Sequence, residues 1–229
     1  MNIVVTGASS GIGFELVKSF ALQNHNVLAV SRSKKKLLEL KQFSERIQVL
    51  AIDINKVNKN VISTSLSEMK VKHIDVLINN AGVLVNKPFT ELTESDWLNT
   101  YNTNVFGVAN MIKCCIPYLM KSKIKHIVNI SSMGGVGGSI KFPGLTAYSS
   151  SKGAVTILTE CLAEEFKNYA IKVNALALGA VQTPMLKKAF PVLTTTQTPE
   201  SIVPFISWFA LDAYKWCNGK IIQVSDSTP

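Results

Sequence analysis

Hydrophobic residues along this chain occur in short continuous runs, which alternate with longer segments whose hydrophobic positions recur every three or four residues. The first run is Asn2–Thr6, and it is followed by the segment Phe14–Gln23, in which Leu16, Val17 and Phe20 share one side. Short runs are typical of buried strands, whereas the spaced pattern predicts amphipathic helices. The alternation continues along the chain and predicts a repeating order of strand and helix.

The remaining elements follow from the same two patterns. Six further hydrophobic runs predict strands over Asn26–Val30, Arg46–Ile52, His73–Ile78, His126–Ile130, Ile171–Ala177 and Lys220–Val224. Longer segments predict helices over about Glu94 to Lys121, Thr146–Tyr169 and Glu200–Leu211. The helix at Glu94 starts at a Thr93-x-x-Asp96 sequence of the capping-box type. We expect Pro117 to kink this helix or to end it early, because proline lacks a backbone N–H.

Short apolar strands separated by helices predict an α/β fold with a doubly wound sheet. We expect about seven parallel strands with helices on both faces. A length of 229 residues fits one domain spanning 1–229. The least regular segment is Gln182–Pro199, which is rich in Thr and Pro and is the best candidate for a mobile loop. We expect a short substrate loop near 183–199, where Leu186, Phe190, Val192 and Leu193 suggest a partly apolar pocket.

The composition is that of a folded protein, with 47% hydrophobic and 17% charged residues. The formal net charge of +9 raises the question of a nucleic-acid partner. The basic residues are scattered, however, over clusters at Lys34–Lys36, Lys121–Lys125 and Lys187–Lys188. We therefore expect a solvated surface and no nucleic-acid partner.

The cysteines give no sign of a disulfide framework or a metal site. Cys114, Cys115, Cys161 and Cys217 show no C-x-x-C spacing and no association with histidines. No apolar stretch approaches the roughly 20 residues of a membrane-spanning helix, and no secretory signal is evident. We expect a cytoplasmic protein with no metal and no membrane partner.

A glycine-rich turn joins the first strand to the first helix at Thr6–Gly13. Glycine lets a backbone approach a ligand closely, and a helix N-terminus offers free N–H groups to a diphosphate. The spacing is G-x-x-x-G-x-G rather than G-x-G-x-x-G, and it lacks the lysine of a triphosphatase loop. An ordinary structural turn would carry similar glycines. The candidate cofactor-binding residues here are Gly7, Ser9, Ser10, Gly11, Ile12 and Gly13.

The end of the second strand bears on the choice of dinucleotide. NAD-binding loops usually have an acidic residue there, whereas this chain has Ser31 and Arg32 followed by lysines. A guanidinium can bind a 2′-phosphate bidentately, which favours NADP(H) and makes NAD(H) the lesser expectation. The alternative is that Arg32 is simply a solvated residue after a strand.

Tyr148 and Lys152 lie four positions apart near the start of a predicted helix, so they share one helical face. A cation beside a phenol lowers the pKa of the phenol, and such a tyrosine can act as a general acid near neutral pH. An isolated Tyr-x-x-x-Lys is more often a core tyrosine with a solvated lysine. The neighbouring motifs reverse that expectation.

Over nearly its whole length the chain resembles the short-chain dehydrogenase/reductase family. The resemblance rests on motifs in the family's order: T-G-x-x-x-G-x-G at Thr6–Gly13, Asp53 after the third strand, N-N-A-G at Asn79–Gly82, Asn104, I-S-S at Ile130–Ser132 and Y-x-x-x-K at Tyr148–Lys152. Each motif alone is a modest signal, but the ordered set is highly specific. It implies a Rossmann-type NADP(H)-dependent oxidoreductase acting on a small-molecule carbonyl or alcohol.

The resemblance also implies catalytic roles. Tyr148 would donate a proton to a carbonyl oxygen or accept one from an alcohol, and Ser132 would hydrogen-bond that oxygen. Lys152 would hold the nicotinamide ribose and lower the pKa of Tyr148. Asn104 would hold a water molecule that links Lys152 to solvent. Ser131 is the alternative to Ser132, which we prefer because the family uses the second serine of the pair.

Further cofactor contacts are implied by the same resemblance. Asp53 would accept a hydrogen bond from the adenine amino group, with Ile54 beside it. The family pattern also implies cofactor contacts for Asn80, Ala81, Gly82, Gly179, Val181 and Thr183, with Thr183 touching the carboxamide. Family members commonly form homodimers or homotetramers, and we expect one of these here.

Departures from the family pattern leave two alternatives open. Ser10 replaces a basic residue that is common in NADP-using members, so Arg32 would carry most of the 2′-phosphate recognition. The segment Met133–Ala147 is a few residues longer than usual and glycine-rich, and Leu178-Gly179 replaces a common Pro-Gly. The alternatives are an NAD-dependent alcohol dehydrogenase and a non-catalytic NADP-binding regulatory protein.

Overall fold

The computed structural model describes residues 1–226 as alternating strands and helices. The strands are β1 (Asn2–Thr6), β2 (Asn26–Ser31), β3 (Ile47–Ala51), β4 (Val76–Asn79), β5 (His126–Ser132), β6 (Lys172–Leu178) and β7 (Ile221–Val224). The helices are α1 (Gly11–Leu22), α2 (Lys34–Phe43), α3 (Lys59–Glu68), α4 (Glu94–Tyr101), α5 (Gly107–Leu119), α6 (Thr146–Glu165), α7 (Pro184–Ala189) and α8 (Pro199–Asp212).

The seven strands form one parallel sheet in the order β3-β2-β1-β4-β5-β6-β7. At its centre Val5 pairs with Ala29 of β2 on one side and with Ile78 of β4 on the other. The strand order reverses between β1 and β4, so the loops after these strands leave the carboxyl edge in opposite directions and open a crevice. The predicted doubly wound α/β fold is confirmed.

Alternation along the strands builds a hydrophobic core on each face of the sheet. In β1, Ile3 and Val5 belong to the core beneath α1, α2 and α8, whereas Val4 belongs to the core beneath α3, α5 and α6. Successive strand residues point to opposite faces, so strands covered on both sides read as continuous apolar runs. Cys114 and Cys115 lie buried in the second core.

Three helices were not predicted from the sequence: α2, α3 and α7. In α2 only Leu37 and Leu40 are buried, and its first turn consists of the exposed Lys34–Lys36. Two buried positions in ten residues give little helical periodicity, so packing against the sheet and not sequence pattern stabilises this helix. No helix in the described part of the chain is long and apolar enough to cross a membrane.

The predicted long helix Glu94–Lys121 is interrupted, but not where proline suggested. The capping box at Thr93 and Asp96 is present and starts α4. A π-helical turn at Asn102–Phe106 then separates α4 from α5. Pro117 lies within the last turn of α5, which ends two residues later at Leu119. The helix therefore ends two residues before the predicted Lys121, close to Pro117, and the π turn is a separate interruption that the sequence analysis did not predict.

The segment Gln182–Pro199, predicted as an irregular loop, contains α7 and is tied to the rest of the structure by hydrogen bonds. Two hydrogen bonds join the start of the segment to its end: Gln182 N–H donates to Gln197 O at 2.7 Å, and Gln182 Oε1 accepts from Thr195 N at 3.1 Å. Asn86, in the loop after β4, donates to Ala189 O at 2.8 Å. The segment therefore contains more regular structure and more hydrogen bonds than its composition indicated.

Candidate active site

A cavity of about 1130 Å³ lies at the carboxyl edge of the sheet, around the point where β1 and β4 diverge. It is larger than the roughly 300–1,000 Å³ of a typical single-ligand pocket, so it has room for a dinucleotide and a second molecule. Among the predicted site residues, those that line it are Gly7, Ser9, Ser10, Gly11, Ile12, Arg32, Asp53, Ile54, Asn80, Ala81, Gly82, Ser132, Tyr148, Lys152, Gly179, Val181 and Thr183. Gly13 and Asn104 do not line it.

The glycine loop after β1 packs directly against the end of β4. Gly7 has φ +69°, and a Cβ there would lie 2.8 Å from Ala81 Cα, so only glycine fits. Thr6 Oγ1 accepts from the N–H groups of Asn80 and Ala81, both at 3.0 Å. Asn80 Nδ2 in turn donates to Thr6 O at 3.0 Å. These bonds hold the loop open toward the cavity.

Gly13 supports this loop from below. A Cβ at Gly13 would lie 2.5 Å from both Asn80 Nδ2 and Gly7 O, so any side chain would displace the loop. Gly13 therefore allows the glycine loop to pack closely against Asn80, and its contact with the cofactor stays a prediction.

The N-terminus of α1 is suited to bind a diphosphate. The side chain of its N-cap residue, Ser10, makes no capping hydrogen bond, and its first turn contains no acidic residue. The first N–H groups of a helix lack intrahelical acceptors, and here Gly11 and Ile12 line the cavity. Partial positive charge at this end favours an anion. The cradle fits the diphosphate of a dinucleotide.

The end of the cavity where the sequence predicts the adenosine is formed by the residues after β2 and β3. Ser31 Oγ donates to Ser9 Oγ at 2.8 Å and links the end of β2 to the glycine loop. The exposed Arg32 follows, and its guanidinium forms no ion pair with any residue in 1–226. Asp53 Oδ1 accepts from Asn55 N at 2.9 Å, which fixes its carboxylate at the cavity wall.

Tyr148 and Ser132 meet at the cavity floor. Tyr148 lies in the first turn of α6, and Ser132 is the last residue of β5. Desolvation raises the pKa of Tyr148 above its usual value, and a hydrogen bond with the Ser132 hydroxyl acts to lower it. Ser132 Oγ also accepts from Gly134 N at 3.2 Å. The pair forms a preorganised donor site for one oxygen atom.

Lys152 lies one turn further along α6 and is almost fully buried. Its Nζ donates to Ile130 O at 2.8 Å and lies 5.9 Å from the centre of the Tyr148 ring. Burial lowers the pKa of Lys152 to about 8. The charge is close enough to act on the phenol, although the direct hydrogen bond goes to a backbone carbonyl.

The structure distinguishes the two adjacent serines. Ser131 is buried, and its Oγ donates to Lys152 O at 3.0 Å, whereas the Ser132 hydroxyl meets Tyr148. Strand alternation puts consecutive hydroxyls on opposite sides, so only one of the pair can face the phenol. The geometry favours the preferred Ser132.

Asn104 is fully buried within the π turn, where it braces the loop after β4. Its Oδ1 accepts from Val83 N at 2.8 Å, and its Nδ2 donates to Val83 O at 3.0 Å and to Ser151 Oγ at 2.9 Å. The amide therefore links α6 to the loop that carries Gly82. Asn104 therefore supports the loop after β4, and its contact with a water molecule stays a prediction.

The end of the cavity where the sequence predicts the nicotinamide combines the turns after β6 and β7 with the start of α7. Thr183 Oγ1 accepts from Leu186 N at 3.2 Å as the N-cap of α7. A Cβ at Gly11 would lie 3.1 Å from Thr183 Cγ2, so this end closes against the glycine loop. A Cβ at Gly179 would lie 2.7 Å from Ser225 Oγ, so the turn requires glycine at this position even though Leu178 precedes it in place of the family's proline.

Three residues that position the site were not identified in advance: Thr6, Asn86 and Ser151. Thr6 and Asn86 tie loops together through backbone partners, and Ser151 lies within the Tyr148–Lys152 motif as a variable position. Thr6 and Ser151 lie inside two motifs of the sequence, but serine, threonine and asparagine form such bonds in many turns, so the partners of these side chains could not be predicted. The apolar residues of the expected substrate loop all line the cavity: Leu186, Phe190, Val192 and Leu193.

Comparison with known proteins adds an independent observation. Residues 1–193 match the family model described as short chain dehydrogenase. The chain is 32% identical over 235 residues to the 3-oxoacyl-(acyl-carrier-protein) reductase FabG of Thermotoga maritima, which covers 96% of this chain and 94% of the relative.

Solved structures agree with this comparison. The 3-ketoacyl-(acyl-carrier-protein) reductase of Brucella melitensis, complexed with NADH, superposes with a TM-score of 0.86 at 25% identity and covers 97% of this chain and 96% of that one. A short-chain dehydrogenase from Escherichia coli CFT073, complexed with NADPH, gives a TM-score of 0.85 at 26% identity and covers 97% and 95%.

Proposed function

The chain belongs to the short-chain dehydrogenase family and is an oxidoreductase, and we propose that it is NADP(H)-dependent and interconverts a carbonyl compound and its alcohol. The observation that carries this proposal is the placement of Ser132 and Tyr148 in one cavity with the α1 N-terminus, whose Gly11 and Ile12 line that cavity too. A phenolic proton donor and a dinucleotide cradle in one cavity are the two parts that carbonyl reduction requires.

The chemistry divides between cofactor and chain. When bound, the nicotinamide supplies the hydride that reaches the carbonyl carbon, or accepts it in the reverse direction. Ser132 donates a hydrogen bond to the carbonyl oxygen and holds it against Tyr148. Tyr148 gives its phenolic proton to that oxygen, which balances the hydride and yields the alcohol. The buried charge of Lys152 stabilises the phenolate that remains.

Lys152 and Asn104 complete the proposed proton path. Lys152 would bind the nicotinamide ribose hydroxyls through the ammonium protons that Ile130 O leaves free. Asn104 fixes the loop of Gly82 and would support a water that returns protons to Lys152. The adenosine half would be held by Asp53 and Ile54 together with the Asn80–Gly82 turn, all at the cavity wall.

The preference for NADP(H) rests on Arg32. Its guanidinium lies exposed at the adenosine end without an ion-pair partner in residues 1–226, ready for a 2′-phosphate. The similar structures are named with NADH in one case and NADPH in the other, so both cofactors occur on this fold. An NAD-dependent alcohol dehydrogenase is therefore the alternative within the same chemistry.

A non-catalytic NADP-binding regulatory protein is the second candidate. It would need the glycine loop and Arg32 but not a proton donor. The placement of both Ser132 and Tyr148 in the lining of the cavity favours the enzyme, because a protein that only senses the cofactor does not need a proton donor there. Assembly as a homodimer or homotetramer, location in the cytoplasm and action as a carbonyl reductase complete the proposal.

The test is transfer of label from cofactor to product. NADPH deuterated at the transferable position of its nicotinamide is incubated with a panel of ketones, aldehydes, quinones and β-ketoacyl thioesters. We expect one deuterium on the carbinol carbon of a product alcohol, and faster turnover with NADPH than with NADH. Binding of NADPH without transfer to any compound would contradict the enzyme and support the regulatory protein.

A further inference from the structure

The substrate half of the cavity has a wall of uniform chemistry. We name it the apolar wall and define it by Leu84, Met133, Ile140, Phe142, Leu145 and Phe190, all of which line the cavity. It adjoins the reacting groups, because Met133 directly follows Ser132 and Leu145 O accepts from Ser149 N at 2.7 Å, next to Tyr148. A substrate oxygen at Tyr148 would therefore place its carbon chain along this wall.

The segments that form the apolar wall are held together by backbone bonds. Lys87 N donates to Gly144 O at 3.0 Å, and a Cβ at Gly144 would clash with the Asn86 side chain. Asn86 also bonds to Ala189 O, one residue before Phe190. The loops after β4 and β5 and the end of α7 thus form one enclosure around the entrance.

The entrance leaves large apolar side chains exposed. Ile140 is 57% exposed, Phe142 63% and Val192 96%, and all three line the same cavity. Single exposed apolar residues are ordinary, but a group around one opening marks a surface that gains free energy when a ligand covers it. The expected ligand feature is an extended apolar chain.

Free cations are absent from this wall within the part of the chain described. The charged side chains that line the cavity are Arg32 and Asp53 at the adenosine end, Lys152, and Asp226 after β7. One ammonium proton of Lys152 binds Ile130 O, and the proposed function assigns the remaining protons to the nicotinamide ribose. The remaining charge, Asp226, is a carboxylate that accepts from Thr196 Oγ1 at 2.9 Å.

Nearby lysines do not compensate for this. Lys141 Nζ donates to Val136 O at 2.6 Å and to Ser139 O at 2.9 Å, which holds it within its own loop. Lys187 and Lys188 are exposed on α7, and none of the three lysines lines the cavity.

We infer that the substrate is an uncharged ketone, or the matching alcohol, with an extended apolar chain, and that substrates with a free carboxylate on that chain are excluded. The inference rests on the proposed function and adds a substrate class to it. A carboxylate at the apolar wall would lose hydration without gaining a cation. The chain of a neutral ketone instead gains from each methylene that leaves water.

The test compares matched substrates that differ only in charge. With NADPH, kcat/KM is measured for methyl 5-oxohexanoate and for free 5-oxohexanoate. We expect the ester to exceed the acid by on the order of 100-fold. A series from butan-2-one to octan-2-one should rise by about threefold per methylene. An acid turned over as efficiently as its ester, or a flat series, would overturn the inference.

A variant pair tests the wall itself. Phe190→Arg supplies a cation, and Phe190→Gln is its control with a neutral polar side chain. We expect the ratio of ester to acid to fall at least about tenfold further in Phe190→Arg than in Phe190→Gln. Val192→Arg, at a highly exposed position, repeats the test if Phe190→Arg does not fold. Equal ratios in the charged and neutral variants would overturn the inference.

Failure of this inference is distinguishable from failure of the proposed function. If acids and esters are reduced equally, the oxidoreductase proposal stands and the substrate class is wrong. If the protein binds NADPH but reduces no ketone, ester or acid, both proposals are contradicted.

Discussion

The Lys152 ammonium lies 5.9 Å from the centre of the Tyr148 ring, while its hydrogen bond goes to Ile130 O. The lysine therefore acts on the tyrosine through space and not through a direct bond. The side chain that lowers the pKa of Tyr148 by hydrogen bonding is that of Ser132. This division of roles leads to different expectations for the three side chains.

Removal of the Ser132 hydroxyl should change the pH profile. The hydrogen bond with Ser132 lowers the pKa of Tyr148, so Ser132→Ala should raise that pKa. In alcohol oxidation the phenolate is the base, so kcat/KM falls as the pH drops below the pKa of Tyr148. The pH of this inflection should be higher in Ser132→Ala. We also expect kcat to fall by about 100-fold, because one oxygen-binding donor is lost.

Ser131→Ala is the matched control for this measurement. Its hydroxyl binds Lys152 O, so its loss should leave the inflection in place. An inflection that does not move in Ser132→Ala, or that moves equally in both variants, would contradict the assignment of Ser132.

Lys152→Met should stabilise the protein while inactivating it. Burial lowers the pKa of Lys152 from 10.5 to about 8. Between these values the unfolded chain binds the extra proton, so stability rises with pH through this window, and the full penalty applies below about pH 8. After the loss of the bond to Ile130 O, we expect a net gain of about 2 kcal/mol in the free energy of unfolding at pH 7.

Urea unfolding at neutral pH and near pH 10 checks this expectation. The gain should shrink at the higher pH, because the wild-type lysine is then largely neutral in the folded state. A variant that is less stable than wild type at pH 7, or a gain that is independent of pH, would contradict it.

Arg32→Ala should weaken NADPH binding selectively. The loss of a charge-assisted bidentate contact should raise the Kd for NADPH by about 10- to 100-fold and leave the Kd for NADH nearly unchanged. Arg46→Ala is the control, since Arg46 is exposed just before β3, at the amino end of the strands, away from the cavity at their carboxyl end. Fluorescence titration measures both constants. Equal losses for NADPH and NADH in Arg32→Ala would argue for a general electrostatic effect instead.

Asn104→Ala should loosen the loop after β4. The change removes the partner of Val83 N–H and Val83 O in a partly buried loop, and the Ser151 hydroxyl keeps only its bond to Tyr148 O. We expect a loss of about 2–3 kcal/mol in the free energy of unfolding. We also expect faster amide hydrogen exchange at Val83. A variant of wild-type stability whose Val83 amide remains protected would contradict this supporting role.

The sequence predicted the parts of the fold and site that depend on local pattern. The strands are continuous apolar runs because both sheet faces are covered, and the motif residues at Gly7, Tyr148 and Lys152 occur at fixed spacings. The helix α2 escaped prediction because only Leu37 and Leu40 face the core. Its stability comes from tertiary packing, which local periodicity does not report.

Other features depend on contacts between distant segments. The π turn at Asn102–Phe106 has no sequence signature, so the bonds from Asn104 to Val83 could not be foreseen. The apolar wall joins Phe142 to Phe190 across loops that meet only in the folded chain. Pro117 lies in the last turn of α5, where a missing N–H removes little, so the helix continues for two residues and ends at Leu119.

Tyr148→Phe is the decisive variant for the proposed reaction, because it removes only the phenolic oxygen from the proposed proton donor. Turnover of NADPH with a reducible ketone and the Kd for NADPH are measured on wild type and variant. We expect kcat to fall by at least about 1000-fold and the Kd to change by less than about threefold. Retained turnover, or loss of NADPH binding together with activity, would contradict the role of Tyr148.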